Sequence, residues 1–138
     1  MDTEAAFVTY VPPAAILVLM VTFAWSPWDL WRILGAIIVI VFLALLTVAR
    51  RQLGNSFSIT AEARNLVTTG IYSRLRHPVY VFSSVLVLGL ALYFKMPWLA
   101  VILIIILPMQ FLRARQEEKI LTQAFGEAYL AYRKTTWF

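Results

Sequence analysis

Two short polar stretches hold the residues fit for chemistry. The first, Arg74-Leu75-Arg76-His77-Pro78-Val79-Tyr80, contains the one histidine of the chain. The second, Arg113-Ala114-Arg115-Gln116-Glu117-Glu118, contains its one pair of adjacent acids. An arginine fork at Arg74 or Arg76 could clamp a carboxylate bidentately. Pro78 fixes its own φ and restricts the residue before it, so Arg76-His77 is presented in a set geometry and not on a loose flank. His77 or a glutamate could take a proton from a nucleophile near neutral pH. The blander reading makes the arginines a basic membrane flank. It makes the acids a solvated helix face, with Glu117 beside Arg113 at i, i+4. Adjacent helical residues point about 100° apart, so one glutamate is expected to bind a ligand while the other pairs with Arg113 or Arg115.

Both stretches sit hard against long apolar runs, and those runs must position them. Apolar residues make up 62% of the 138 and charged residues 14%, too little polar surface for a soluble domain of this size. Four uncharged runs account for the excess: Ala5–Trp28, Ile33–Ala49, Pro78–Phe94 and Met96–Leu112. A helix as long as the three shorter runs measures about 25 Å, at the short end for a membrane span. None has a polar face to turn toward water, which argues against a soluble bundle. The expected fold is all-α: one polytopic membrane domain over 1–138, with four transmembrane helices plus short interfacial and C-terminal amphipathic helices. The first two spans form an N-terminal hairpin over 5–49.

Charge sets the expected orientation. Arg50, Arg51, Arg64, Arg74 and Arg76 lie between the second and third runs, and Arg113, Arg115, Lys119, Arg133 and Lys134 follow the fourth. The other side holds Arg32 and Lys95. The positive-inside rule places both termini and both polar stretches in the cytoplasm. Positive charge beside spans follows from topology and anionic headgroups, so the net charge of +5 implies no nucleic-acid partner. The absence of cysteine excludes disulfides and thiolate chemistry, and one histidine cannot build a His-rich metal site. No metal is therefore expected. The N-terminus lacks a basic n-region, so the first run reads as a retained helix. With no ionisable group inside the runs, an ion-coupled exporter is disfavoured.

Local signals divide the chain further. Pro27 breaks the first hairpin within Trp25–Asp29, where Trp25, Trp28 and Trp31 suit an interfacial belt. Pro12-Pro13 should start the first span or kink it. Leu53–Ser56 reads as a turn and Gly70 as a break, with an interfacial helix or extended chain over Ile59–Thr69. Pro78 suits the first turn of the third span, and Tyr93–Pro97 allows a tight hairpin. Ile120, Leu121, Ala124 and Phe125 fall at helical spacing in the tail. Gly126 is a helix stop, after which Glu127–Lys134 can form a second short helix carrying Tyr129 and Tyr132.

Several motifs occur in order: Leu66-Val67-Thr68-Thr69-Gly70-Ile71-Tyr72, Arg76-His77-Pro78-Val79-Tyr80, Gly89, then Glu117-Glu118 followed by Leu121, Phe125-Gly126, Tyr129 and Tyr132. Over about Leu53 to Arg133 this resembles the isoprenylcysteine carboxyl methyltransferases and the related integral-membrane phospholipid methyltransferases. The resemblance implies an S-adenosylmethionine-dependent methyltransferase without a Rossmann domain. Its 50–138 portion would hold the cofactor at the cytoplasmic face and release S-adenosylhomocysteine. A lipophilic acceptor would enter from the bilayer. Carried over by motif, Arg76, His77 and Tyr80 would bind the cofactor's methionine end. Glu118, with Glu117, would hold the ribose hydroxyls, and Leu121 to Tyr132, including Tyr129, would close the pocket. Ile71 replaces a frequent proline, and Val81-Phe82 replace a frequent small residue, which would reshape the substrate opening. The chain stops at Trp137-Phe138 where many members carry a proline-containing end, which would leave the pocket less covered.

The expected acceptor is a prenylcysteine-type carboxylate, already ionised and needing only desolvation and a cation, supplied by Arg74 or Arg76. A phospholipid or other small lipophilic acceptor methylated on N, O or S is the alternative enzyme reading. An amine among these would need His77 or a glutamate as base. A non-catalytic four-span scaffold is the rival from another class.

Overall fold

A computed structural model describes residues 3–54 and 66–138. The expectation for 59–69 falls mostly outside them, as does Arg64. The described chain is all-α. Helix α1 spans Thr3–Thr22, α2 Leu30–Leu53, α3 Pro78–Phe94, α4 Trp98–Val101, α5 Leu103–Phe125 and α6 Glu127–Thr135. A 3-10 turn at Gly70–Ser73 precedes α3. Among the described residues three stretches are long and apolar enough to cross a membrane: α1, α2 and the 28 residues of Trp98–Phe125. The apolar α3 is shorter, at 17 residues. Large apolar side chains of α1 and α5, such as Val21, Ile104 and Met109, are exposed. Lipid rather than water is the solvent that tolerates such faces, and the chain is an integral membrane protein.

The core lies between α2 and α3. Val39, Leu43, Leu46 and Ala49 of α2 are buried with Phe82, Leu86 and Tyr93 of α3. Two glycines let the backbones meet. A Cβ on Gly35 would fall on the backbone nitrogen of Tyr93 and stand 2.8 Å from Gly89 O. A Cβ on Gly89 would press on Ile38 at 2.7 Å. Small residues at such crossings allow the close van der Waals contact that holds helices together in lipid.

Helix α1 docks by a different device. Pro12 and Pro13 neither start the first helix nor lie near its end; it begins at Thr3 and runs through both. Proline has no N–H, so Val8 O loses the donor that residue 12 would supply. Arg50 Nη1 donates to that carbonyl at 2.8 Å. At the other end of the bundle Asp29 caps α2, accepting from Arg32 N at 3.0 Å, and meets Lys95 Nζ at 2.6 Å. Arg32 is buried there, with its guanidinium 4.8 Å from the Tyr93 ring centroid and Nη2 donating to Phe23 O. Arg32 and Lys95 thus share one end, and the denser positive charge gathers at the other.

The fourth apolar run ends at Leu112, but its helix does not. Helix α5 continues through the expected amphipathic tail to Phe125, so span and tail are one rod. Nothing between Leu112 and Phe125 breaks a helix. Gly126, at φ +51°, is the first residue that does, and α6 follows it as expected.

Candidate active site

Pro78 occupies the first turn of α3, leaving His77 as the residue just before the helix. The imidazole is buried between both glutamates of α5. Its Nδ1 lies 3.7 Å from Glu117 Oε2 and its Nε2 3.5 Å from Glu118 Oε1. The ring sits in the angle between the two acids, and the expected pairing with Arg113 falls to Glu117. Glu117 takes the Tyr80 hydroxyl and Arg113 Nε, the latter at 3.2 Å. Glu118 takes Arg76 Nη1 at 3.2 Å and lies 3.9 Å from Arg133 Nη2. Arg115 is not a partner of either; it stacks its guanidinium 4.4 Å over Phe111.

Burial holds the His77 imidazole below the ordinary histidine range, against the pull of Glu117 and Glu118. The ring is therefore neutral near pH 7, with one N–H to offer two carboxylates. Its Nε2 has no hydrogen-bond partner, and neither do the buried hydroxyls of Tyr72 and Tyr129. Burial, with Glu118 next, raises the Tyr129 phenol; burial, with Tyr132 next, raises Tyr72. Burial also pushes Tyr132 up to about 12, and its hydroxyl donates to Tyr72 O at 2.6 Å. Three buried polar atoms of this region are thus left without a hydrogen-bond partner among the described residues.

The last two residues fold back over this cluster. Trp137 N donates to Arg74 O at 2.7 Å, and Arg76 N donates to Phe138 O at 3.0 Å. The Phe138 ring sits 5.7 Å from His77. Trp137 and Phe138 thus lie against the site. Arg74 joins through its backbone; its side chain is exposed and makes no ion pair among the described residues. Leu121 is half-buried on α5, one turn beyond the acids. Among the described residues no His, Asp and Glu set is arranged to hold a metal ion.

Beside the cluster a cavity of about 390 Å³ opens between α3 and α5. Tyr80, Val81, Ser84 and Val85 line one wall, Leu107, Gln110 and Phe111 the other, and Phe138 lies against it as well. Tyr80 belongs to both places, lining the cavity and giving its hydroxyl to Glu117.

Residues 29–128 match the family described as "Phospholipid methyltransferase". The chain belongs to the phospholipid methyltransferase family. The match starts at the Asp29 cap of α2 and ends inside α6, so it includes Arg76, His77, Tyr80, Glu117 and Glu118. The chain is also 34% identical over 110 residues to the Protein-S-isoprenylcysteine O-methyltransferase of Saccharomyces cerevisiae (strain ATCC 204508 / S288c). That alignment covers 75% of the chain and 46% of the relative, so the chain spans about half the length of the curated relative it matches. Tyr129, Arg133, Trp137 and Phe138 lie beyond the family match.

Sequence reasoning missed Gln110, Ser83 and Ser84, which hydrogen-bond across α3 and α5. A signal existed: an amide and a Ser-Ser pair inside apolar runs are polar groups that a membrane interior must satisfy. It also missed the fold-back of Trp137 and Phe138, which no local pattern announces.

Proposed function

We propose that the chain is an S-adenosylmethionine-dependent membrane methyltransferase acting on a lipophilic acceptor, most like a prenylcysteine-type carboxylate. The observation that carries this is the convergence of Arg76, His77, Tyr80, Glu117 and Glu118 around orphaned buried polar atoms, in a chain of a methyltransferase family. The cofactor's groups fit this donor set. Carboxylates suit ribose hydroxyls and the ammonium of the methionine end, and Arg76 suits its carboxylate. We assign Glu118 and Glu117 to the first two, His77 and Tyr129 to fixing polar atoms, and Leu121 to the pocket wall. S-adenosylmethionine supplies a methyl on a sulfonium, which passes in line to an acceptor oxygen as the S–C electron pair returns to sulfur. The residues align the two ligands, exclude water and, through Arg76 with Arg74 at the rim, hold the anionic acceptor. No proton moves.

The 34% identity to an isoprenylcysteine O-methyltransferase supports the carboxylate acceptor. The family's description favours a second reading, a phospholipid amine. That nucleophile must lose a proton, for which the neutral imidazole of His77 is the available base. We assign four spans, counting α3, an N-terminal hairpin over 5–49 and the cofactor part to 50–138. Both termini and the site face the cytoplasm, where the arginine-rich end belongs.

The test is binding of S-adenosylhomocysteine by purified protein in detergent, with Glu118→Ala and His77→Ala expected to weaken it. Absence of binding by the wild type at roughly millimolar ligand, far above a typical cofactor site, would leave only a scaffold. Labelled S-adenosylmethionine added to native membranes separates acceptors: a base-labile methyl ester marks a carboxylate, and stable headgroup label an amine.

A further inference from the structure

The Arg76 guanidinium is engaged at two of its nitrogens. Its Nε donates to the backbone carbonyl of Trp137 at 3.2 Å, and its Nη1 stands 3.2 Å from Glu118 Oε1. A guanidinium offers a carboxylate two bidentate edges, Nε with Nη2 and Nη1 with Nη2. Each edge of Arg76 therefore has one member taken. A carboxylate that grips Arg76 bidentately must displace either Glu118 or Trp137 O. Glu118 is 20% exposed, and parting it from Arg76 would leave a largely buried carboxylate short of its cation. Trp137 O is neutral, and its segment is lightly held. Trp137 N donates to Arg74 O at 2.7 Å, and Arg76 N donates to Trp137 O and Phe138 O at 3.4 and 3.0 Å, in a parallel bridge of Trp137 with Leu75. Trp137 is 78% exposed and Phe138 47%, so little apolar burial adds to those bonds. Exposed backbone hydrogen bonds with few buried contacts mark a segment that opens locally before the fold does. Phe138 also stands against His77 and lines the α3–α5 cavity. Release of this one segment clears an edge of Arg76 and removes a lining residue of the cavity.

We infer that Trp137 and Phe138 form a clasp that competes with a ligand's carboxylate for Arg76: the clasp holds the Nε edge, and a carboxylate that takes this edge replaces Trp137 O and releases the segment. This rests on the methyltransferase reading, which brings a carboxylate to Arg76 from the cofactor's methionine end or from the acceptor. The apparent affinity for that ligand is its intrinsic affinity reduced by the fraction of molecules whose clasp is open.

The test uses the full chain in detergent, which has no native cysteine. A nitroxide on the Trp137→Cys variant reports clasp motion by electron paramagnetic resonance. That side chain is exposed, and the bonds of Trp137 to Arg74 and Arg76 are made by its backbone. Two ligand pairs differ in the carboxylate alone: S-adenosylhomocysteine with its decarboxylated analogue, and N-acetyl-S-farnesylcysteine with its carboxamide. Binding of each is measured by calorimetry alongside. The carboxylate of at least one pair should mobilise the label at saturation while its counterpart leaves it unchanged, and the pair that does so identifies the source. Leu75→Cys/Trp137→Cys, oxidised to a disulfide across the bridge, should bind that carboxylate about tenfold more weakly or worse and the counterpart about threefold at most. Reduction of the same sample should restore both, which separates a closed clasp from a misfolded chain. A label unmoved by a carboxylate that binds, equal mobilisation by both members of each pair, or a disulfide that leaves affinity intact would overturn the clasp. Mobilisation by the farnesylcysteine carboxylate in a protein that binds no S-adenosylhomocysteine would uphold the clasp and sink the methyltransferase reading. Binding of none of the four ligands would sink both.

Discussion

Replacing Gly35 by alanine tests the packing on which the site depends. Helix α3 follows directly on His77, carries Tyr80 in its first turn and leans on α2 along its length. An alanine Cβ at position 35 would meet Gly89 O at 2.8 Å and Tyr93 Cα at 2.9 Å, with the Tyr93 nitrogen closer still. These are backbone atoms, so no rotamer change can relieve the contact. The helices would have to part by about 1 Å, which forfeits a quarter to a half of each dispersion contact at that level. Overpacking of this kind costs about 2–3 kcal/mol. That is a fall of roughly 5–10 °C in Tm. Gly89→Ala meets side-chain methyls of Ile38 and Val39 instead, at 2.7 and 3.0 Å, and should cost less. The two glycines share one contact, so the double variant should fall short of the sum. The assay is thermal unfolding in detergent, followed by loss of bound S-adenosylhomocysteine. A Gly35→Ala protein that melts with the wild type, or below which Gly89→Ala melts, would refute the close-packing account.

Two further outcomes follow from the same coordinates. Because burial lowers the His77 pKa, the unfolded chain binds the proton more readily, and stability is lost as pH falls below the ordinary 6.5. Melting at pH values either side of it should show a drop that His77→Asn reduces; equal drops in both proteins would contradict the buried neutral ring. Arg50→Met should destabilise the wild type by about 1 kcal/mol more than it destabilises a Pro12→Ala background, where residue 12 regains its N–H for Val8 O. Strict additivity in that cycle would show that Arg50 does not serve the carbonyl freed by the proline.

Breakers and ends were legible in the residues. Pro78 starts α3, Gly126 stops α5, and Pro27 lies in the first turn, because proline and glycine act through local backbone geometry. The meeting of His77 with Glu117 and Glu118 was legible from their shared side of the membrane, a consequence of charge and run order. Pro12 and Pro13 misled because a tertiary donor, Arg50, relieves a defect that local rules count as a helix boundary. The tail of α5 was read as separate because apolar content falls after Leu112, although composition does not end a helix. The bracketing of His77 by both acids was missed because a facing ring can sit in the angle between neighbouring side chains. Gln110 and Phe138 escaped because their partners are distant in the chain.

The unbroken course of α5 ties the two ends of the proposed chemistry to one strut. Gln110 and Glu117 ride on the same rod, and a rod that settles against a lipid chain also carries its carboxylates to a new rest position. A ligand that shifts this rod at its acidic end shifts the α3–α5 cavity with it, and whatever coupling results acts by the same factor in either direction.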